Sequence, residues 1–577
     1  MQNSINIKIG GPAGQGVKSI GLILDKMFMR SGYKVFGYTE YPSLIRGGHN
    51  TYQAYAGSES AFAQKRRLDM LIALDQGTIA AHQDELDDKT LVIFNQDTLK
   101  VAKTRGVLLP FPINDLIKKA DGLPVMANII ALGAVCFLSG LEPEILANLV
   151  KETFGAKGNE MVKKNTACVK AGYNFAREKL AQYAIKLDPP AKKEKQILVT
   201  GNEALALGAV SAGLKFYSAY PMTPATSILH SLVHWAKKYS LVVKQTEDEI
   251  SAINMALGAS YAGARAMTAT SGGGFALMTE AVGMAGIMEL PLVIVESMRS
   301  GPSTGMPTWH SQADLRQVLH ASQGDFPRAV LAPGDMQECF DLAREAFYLA
   351  EKYQLPVIIL SDKYLSESMQ SVPAPAASWQ NKRYGFANAD FNKAAGKNNE
   401  QPFKRYALSS GGISQRSVPG QSGGAYLSNS YEHDEFGYAT EEAEMAVAMN
   451  DKRSAKFIEL AKEVGQSRPR IFGGQSADVS FISWGSNKCP VLAALDLLKE
   501  KNISANFMHV NYIWPFPKEA VSQFIKNSKR IINVECNASG QFAGLVRQET
   551  GLKIKENLLK YDGRPFYAED ILTYVQH

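Results

Sequence analysis

The chain has 577 residues, 45% hydrophobic and 20% charged, an ordinary globular composition with room for three or four domains. A net charge of +6 with no long Lys/Arg block excludes a nucleic-acid-binding protein, and Lys192-Lys193-Glu194-Lys195 reads as a solvated linker. The longest apolar run, 127–141, is too short and too rich in small residues to span a bilayer and reads as a buried helix; no signal peptide is evident, so no membrane association and a cytoplasmic location are expected.

The first segment opens with the alternation Ile5-Asn6-Ile7-Lys8-Ile9, a strand that enters Gly10-Gly11-Pro12-Ala13-Gly14-Gln15-Gly16. A helix follows with Ile20, Leu24, Met27 and Phe28 on one face. Further strands are expected at 34–38, 70–74 and 91–95 with helices between some of them, the alternation of a doubly wound sheet. After a linker at 189–196, strands are expected at 215–219, 241–244, 266–270, 292–296, 329–332 and 357–361. Periodicity is lost from 373 to about 430, a helix follows near 441–460, and a last α/β unit carries strands at 479–484, 505–509 and 530–535. The expected organisation is therefore 1–188, 197–372, an irregular connection plus helix at 373–469, and 470–577.

Five cysteines, Cys136, Cys168, Cys339, Cys489 and Cys536, include no C-x-x-C pair. Clusters and structural zinc sites need closely spaced thiolates, so this chain is expected to hold no iron–sulfur cluster and no metal of its own.

Small residues in the Gly10–16 loop let backbone N–H groups approach a phosphate, although its G-x-x-G-x-G order departs from the dinucleotide fingerprint. Gly14 and Gly16 are the candidate contacts, for coenzyme A or an interface, or for a nicotinamide or flavin cofactor with Glu40 as the ribose acid; a structural turn is the alternative. Arg46 beside Gly47 and Gly48 suits bidentate binding of a phosphate or carboxylate, or a surface ion pair. Tyr220-Pro221-Met222-Thr223-Pro224-Ala225-Thr226 closes a strand and opens a helix, presenting Thr223 at the sheet edge unless Thr223 or Thr226 is only a helix cap. Glu249 shares a helix with Ala252, Ile253 and Ala256; a carboxylate beside so apolar a face needs a partner, while Glu247 is its competitor. Arg299 follows an apolar strand and precedes a Gly/Pro loop with Thr304 and Thr308, a set suited to a carboxylate and an adjacent carbonyl. His310 reads as a loop or interface histidine without metal-ligand spacing.

These motifs resemble, over nearly the whole length, the 2-oxoacid:ferredoxin oxidoreductases, in the form of an alpha subunit with a gamma domain fused at its N-terminus. Gly10–16 with Arg46-Gly47-Gly48 is similar to the gamma domain. Gly201-Asn202, Tyr220-Pro221-Met222-Thr223, Glu247-Asp248-Glu249, Thr270-Ser271-Gly272, and the 299–308 loop with Gln312 and Asp314 are similar to the alpha subunit's pyrimidine-type domain. Arg416-Ser417-Val418-Pro419-Gly420, Glu432-His433-Asp434-Glu435, Trp514-Pro515-Phe516-Pro517 and Glu535-Cys536-Asn537 resemble later blocks.

The resemblance implies an α/β fold of three doubly wound, Rossmann-like or thiamin-fold units: gamma, pyrimidine-binding-type and transketolase C-terminal-like. It also implies oxidative decarboxylation of a 2-oxoacid, 2-oxoglutarate foremost, using thiamine diphosphate with Mg2+ and coenzyme A. A partner beta subunit would hold most of that cofactor and a [4Fe–4S] cluster, ferredoxin would accept the electrons, and the assembly would be (αβ)2. The chain itself lacks the Gly-Asp-Gly motif for Mg2+-diphosphate.

By the same resemblance, Glu249 matches the glutamate that hydrogen-bonds the aminopyrimidine, and Thr223 the residue near the 2-oxo group, with Tyr220 in the same motif. Arg299 matches the carboxylate-binding arginine, Thr304 and Thr308 line the substrate side, and Ser271 and Gly272 meet the cofactor. Where the family has Ser-Gly-Pro-Gly this chain has Ser271-Gly272-Gly273-Gly274, which implies a looser turn. Pyruvate or branched 2-oxoacids, a NAD(P)-linked oxidoreductase and a non-catalytic scaffold are the alternatives.

Overall fold

In the computed structural model, which describes residues 2–44, 47–101, 104–190, 194–375, 381–386, 403–465 and 469–577, the alternating Ile5, Ile7 and Ile9 are wholly buried. Their strand runs Ser4–Pro12, so Gly10 and Gly11 pair with Thr51 and Asn50 inside a sheet and do not belong to the loop. The described residues form two units. One holds Met1–Thr200, Glu367–Pro375 and Tyr567–His577, the other Gly201–Ser366 and Ala376–Phe566.

The first unit is built on an eight-stranded sheet, in spatial order Val107–Phe111, Leu91–Asn95, Met70–Ala73, Ser4–Pro12, His49–Gly57, Lys34–Glu40, Met369–Pro373 and Gln196–Thr200. The first four strands are parallel; from Ser4–Pro12 onward each neighbour is antiparallel. The sheet is thus mixed, where the helix–strand alternation implied a parallel one. His49–Gly57 is the strand responsible, and the glycines before it give it the look of a loop. The helix Ala127–Leu138 is buried on nearly every side, as expected, and among the described residues no single helix is long and apolar enough to cross a membrane.

The second unit contains two sheets. The seven-stranded one runs Tyr512–Trp514, Ala329–Leu331, Pro356–Asp362, Leu292–Met298, Ala266–Thr270, Phe216–Ala219 and Val242–Gln245, parallel except at Tyr512–Trp514. The other has five strands, Arg470–Gly473, Ala505–Val510, Val479–Trp484, Ile531–Glu535 and Glu556–Leu559. The strands expected from the sequence in this unit all form, with ends displaced by a residue or two. The three others, at 470–473, 512–514 and 556–559, are three or four residues long, too short to show a period. Register sets Thr270, Glu296 and Leu360 side by side, so the segments following them share one sheet edge.

The late motifs act as fasteners. Gln312 accepts from Asn487 Nδ2 at 2.6 Å and from the Cys536 amide at 3.2 Å, and Asn537 Nδ2 donates to the Gln312 carbonyl at 3.0 Å. Arg416 is buried and donates to the Ser260 carbonyl at 2.7 Å. Glu289, fully buried, accepts from Lys452 at 2.6 and 2.8 Å and pairs with Lys456, both on the helix Ala443–Val464. Burial opposes ionisation of Glu289, yet Lys456 and Lys452 hold its carboxyl well below the usual range; burial pulls Lys456 down to about 7. Glu289→Ala leaves two buried ammonium groups without their counter-charge, and chemical denaturation is expected to show a loss of about 3–5 kcal/mol.

Candidate active site

The strand Phe216–Ala219 ends at a turn through residues 220–225, and the helix Thr226–Tyr239 begins with no side-chain cap. Thr223 and Thr226 are therefore not capping residues. The turn is held from outside: Asn202 Nδ2 donates to the Pro224 carbonyl at 2.7 Å and to Ser227 Oγ at 2.8 Å. Arg299 Nη1 donates to the Thr223 carbonyl at 3.0 Å. The Thr223 hydroxyl makes no hydrogen bond among the described residues.

Asp248 caps the next helix, Glu249–Tyr261, by accepting from the Ser251 amide at 2.7 Å. Glu249 thus occupies the first helical position, where the helix dipole favours a carboxylate. It is only 3% exposed, and its Oε1 is buried with no hydrogen-bond partner among the described residues. Glu247 is exposed, which removes it as a competitor. A buried carboxylate oxygen without a donor is costly, so this atom fits a ligand N–H.

The triple glycine gives Glu249 its room. A Cβ at Gly274 would lie 2.6 Å from Glu249 Oε1 and closer still to Thr270 Oγ1, while a Cβ at Gly272 would strike the Asp314 carboxylate. At Gly273 nothing stands within 4 Å. The helix Gly272–Ile287 forms directly from these residues, so the substitution at 273 leaves a regular first turn where a looser one was expected. Gly274→Ala is expected to cut turnover at least ~10-fold by displacing Glu249, with the far-UV spectrum unchanged.

Behind Arg299 stands a pair of acids. Glu296 is fully buried within the strand Leu292–Met298, and among the described residues neither of its oxygens meets an N–H or O–H donor from a non-acidic group. Its neighbour is the Asp314 carboxyl, and two carboxyls can hydrogen-bond only when one carries a proton. Burial, then the charges of Asp314 and Asp362, pushes Glu296 well above the carboxylate range. Burial raises Asp314 to about 6 against the pull of Glu296 and Arg299. Burial also lowers Arg299, which Asp314 and Glu249 oppose.

Because the folded state holds the Asp314 proton more firmly than the unfolded chain does, stability falls as pH rises from about 4 to about 6. Urea unfolding of Asp314→Asn beside the parent should show the loss between about pH 4 and pH 6 larger in the parent, by on the order of 2 kcal/mol, the part due to Glu296 remaining in both.

Other expected residues are placed unevenly. Thr308 and Ser271 are both buried, and neither hydroxyl has a partner among the described residues. Thr304 is exposed in the 301–306 loop and makes no hydrogen bond among the described residues; Tyr220 is 39% exposed. His310 lies in a loop and is buried: it is 2% exposed, its Nδ1 lies 3.5 Å from Asp362 Oδ1, and burial lowers its pKa. Gly14 (φ 92°) and Gly16 (φ 73°) belong to the first unit, Gly16 ending the turn before the helix Val17–Arg30. Arg46 lies outside the described residues. Sequence reasoning missed Glu296, whose signal was an acid closing the run Leu292-Val293-Ile294-Val295, and the requirement for Gly274.

Three family models match the chain: "Pyruvate flavodoxin/ferredoxin oxidoreductase, thiamine diP-bdg" over 207–452, "Pyruvate ferredoxin/flavodoxin oxidoreductase" over 6–175, and "Pyruvate:ferredoxin oxidoreductase core domain II" over 477–571. The 2-oxoacid:ferredoxin oxidoreductase 2 subunit alpha of Aeropyrum pernix is 31% identical, covering 99% of this chain and 97% of that one. The 2-oxoglutarate oxidoreductase subunit KorA of Mycobacterium tuberculosis is 28% identical over 99% and 91%. The 2-oxoglutarate:ferredoxin oxidoreductase of Magnetococcus marinus, solved with 2-oxoglutarate, coenzyme A and succinyl-CoA bound, superposes with a TM-score of 0.92 at 30% identity, covering 100% and 99%. Parallel sheets with a buried acid and a guanidinium at their carboxyl edge define the class, an α/β enzyme subunit with a thiamine-diphosphate-binding domain. The chain belongs to the 2-oxoacid:ferredoxin oxidoreductase family, enzymes of the EC 1.2.7 type, as an alpha subunit.

Proposed function

We propose that this chain is the fused gamma–alpha subunit of a 2-oxoglutarate:acceptor oxidoreductase, converting 2-oxoglutarate and coenzyme A to succinyl-CoA and CO2. Likeness over both full lengths to the Magnetococcus marinus enzyme, whose structure holds those ligands, carries the substrate assignment. Residues 1–188 serve as the gamma part, 197–372 as the pyrimidine-binding-type domain and 470–577 as the transketolase C-terminal-like domain. A beta subunit contributes the diphosphate and Mg2+ site and a [4Fe–4S] cluster, ferredoxin receives the two electrons in turn, and the assembly is (αβ)2.

Thiamine diphosphate, when bound, supplies the nucleophilic carbon for the 2-oxo group. The orphaned Oε1 of Glu249 fits a protonated ring nitrogen of that group and would hold its proton. The Arg299 guanidinium, tied to the Thr223 carbonyl and facing the charge of Asp314, would meet the substrate carboxylate. The Thr223 and Thr308 hydroxyls would face the substrate, and Ser271 and Gly272, at the start of the helix Gly272–Ile287, would meet the cofactor.

An anaerobic assay of the chain alone and with its beta partner, supplied with thiamine diphosphate, Mg2+ and coenzyme A, tests the proposal. Viologen reduction is expected only from the complex and fastest with 2-oxoglutarate. Because all three family descriptions name pyruvate, pyruvate is the principal comparison, with branched 2-oxoacids beside it. Faster turnover of pyruvate overturns the substrate assignment. Silence with every 2-oxoacid overturns the reaction.

A further inference from the structure

Arg328 immediately precedes the strand Ala329–Leu331, at the amino edge of the seven-stranded sheet, whereas Ser271 and Arg299 follow their parallel strands at the carboxyl edge. It is 6% exposed. Among the described residues its guanidinium donates one hydrogen bond, from Nη1 to the Val318 carbonyl at 3.2 Å, and lies 4.3 Å over the Phe326 ring. It makes no ion pair among them. Burial lowers it to about 10, with no acid opposing the shift. A guanidinium has five N–H donors, and a buried cation without a counter-charge is costly.

Arg328 lines an open cavity of about 350 Å³ whose walls include Phe326, Trp514 and Leu545, with His320 and Gln548 at the rim. Asp325 also stands at the rim but forms no ion pair with Arg328. The arrangement joins a desolvated, planar donor fork to an apolar wall, the combination that holds an organic oxyanion.

We propose that this cavity is a second ligand site, taking the carboxylate or phosphate group of a small molecule against Arg328 with its apolar body along Trp514 and Leu545. The site lies on the opposite sheet edge from Arg299, so its occupant is a ligand distinct from the reacting 2-oxoacid.

Isothermal titration of the full chain, alone and in complex with its beta partner, with inorganic phosphate and separately with benzoate at constant ionic strength tests this. Saturable binding is expected in both preparations, weakened at least ~10-fold in Arg328→Gln and blocked in Gln548→Trp, which crowds the mouth from an exposed helix position. Selective binding of phosphate or of benzoate assigns the group. Binding that both variants leave unchanged, or no binding of either probe, overturns the proposal. Binding by the isolated chain that disappears on assembly also overturns it, assigning Arg328 to a carboxylate of the partner.

Discussion

Replacing Glu249 with glutamine is expected to lower turnover of the assembled enzyme by about 10²–10⁴-fold while assembly and melting temperature are unchanged. Glutamine has the same shape, fits the space left by Gly274 and keeps the helix start capped by Asp248. What it loses is the charge and the proton affinity of an oxygen that has no partner among the described residues. The structural cost should be small because no hydrogen bond is broken at Oε1. A docking scaffold would tolerate this change, and so would a NAD(P)-linked enzyme using the Gly14–Gly16 turn. Viologen-linked rates of the purified complex, with size-exclusion chromatography as the assembly control, separate these readings. Full activity in Glu249→Gln would sink the catalytic assignment.

For Arg299→Ala the expected result is a fall in kcat/KM for 2-oxoacid equivalent to roughly 2–4 kcal/mol. Two losses combine. On the proposed role a substrate carboxylate would lose its guanidinium partner, and Thr223 loses the 3.0 Å tie on its carbonyl. Removing the cation also leaves Asp314 and Glu249 without the charge they share. Arg299→Lys separates the effects, since it restores charge without the planar fork. Recovery of much of the loss in the lysine variant would assign Arg299 to charge balance alone. Little recovery supports paired recognition of a carboxylate. Wild-type kinetics in Arg299→Ala would remove it from the substrate site.

The parts of this architecture legible in the sequence were those with a strong period or a distinctive cluster. Leu292-Val293-Ile294-Val295 and Ala266–Thr270 announce buried parallel strands, and Ala127–Leu138 announces a core helix. Tyr220 to Thr226, Glu249 and Arg299 were legible because hydroxyls, acids and guanidinia near strand ends suit open α/β sheets. The antiparallel half of the first sheet was not, because Gly47-Gly48 before His49 signals a turn, and the pairing that turns it into a strand is set by distant residues. Glu296 was hidden for a related reason. Its meaning depends on the Asp314 carboxyl eighteen positions later, and neither sequence neighbourhood announces the contact. Thr304 shows the reverse failure: a motif position with suitable chemistry that the loop leaves in solvent.

The two strands Gln196–Thr200 and Met369–Pro373 lie next to each other in the eight-stranded sheet, and Met369–Pro373 pairs in turn with Lys34–Glu40. Dissection of the polypeptide after residue 188 would therefore strip Lys34–Glu40 of its neighbour and leave a raw edge of unpaired amides on the excised piece. Such an edge invites strand-to-strand aggregation. A gene split at that linker carries a solubility penalty, which a break made elsewhere, keeping this pair with the N-terminal sheet, avoids.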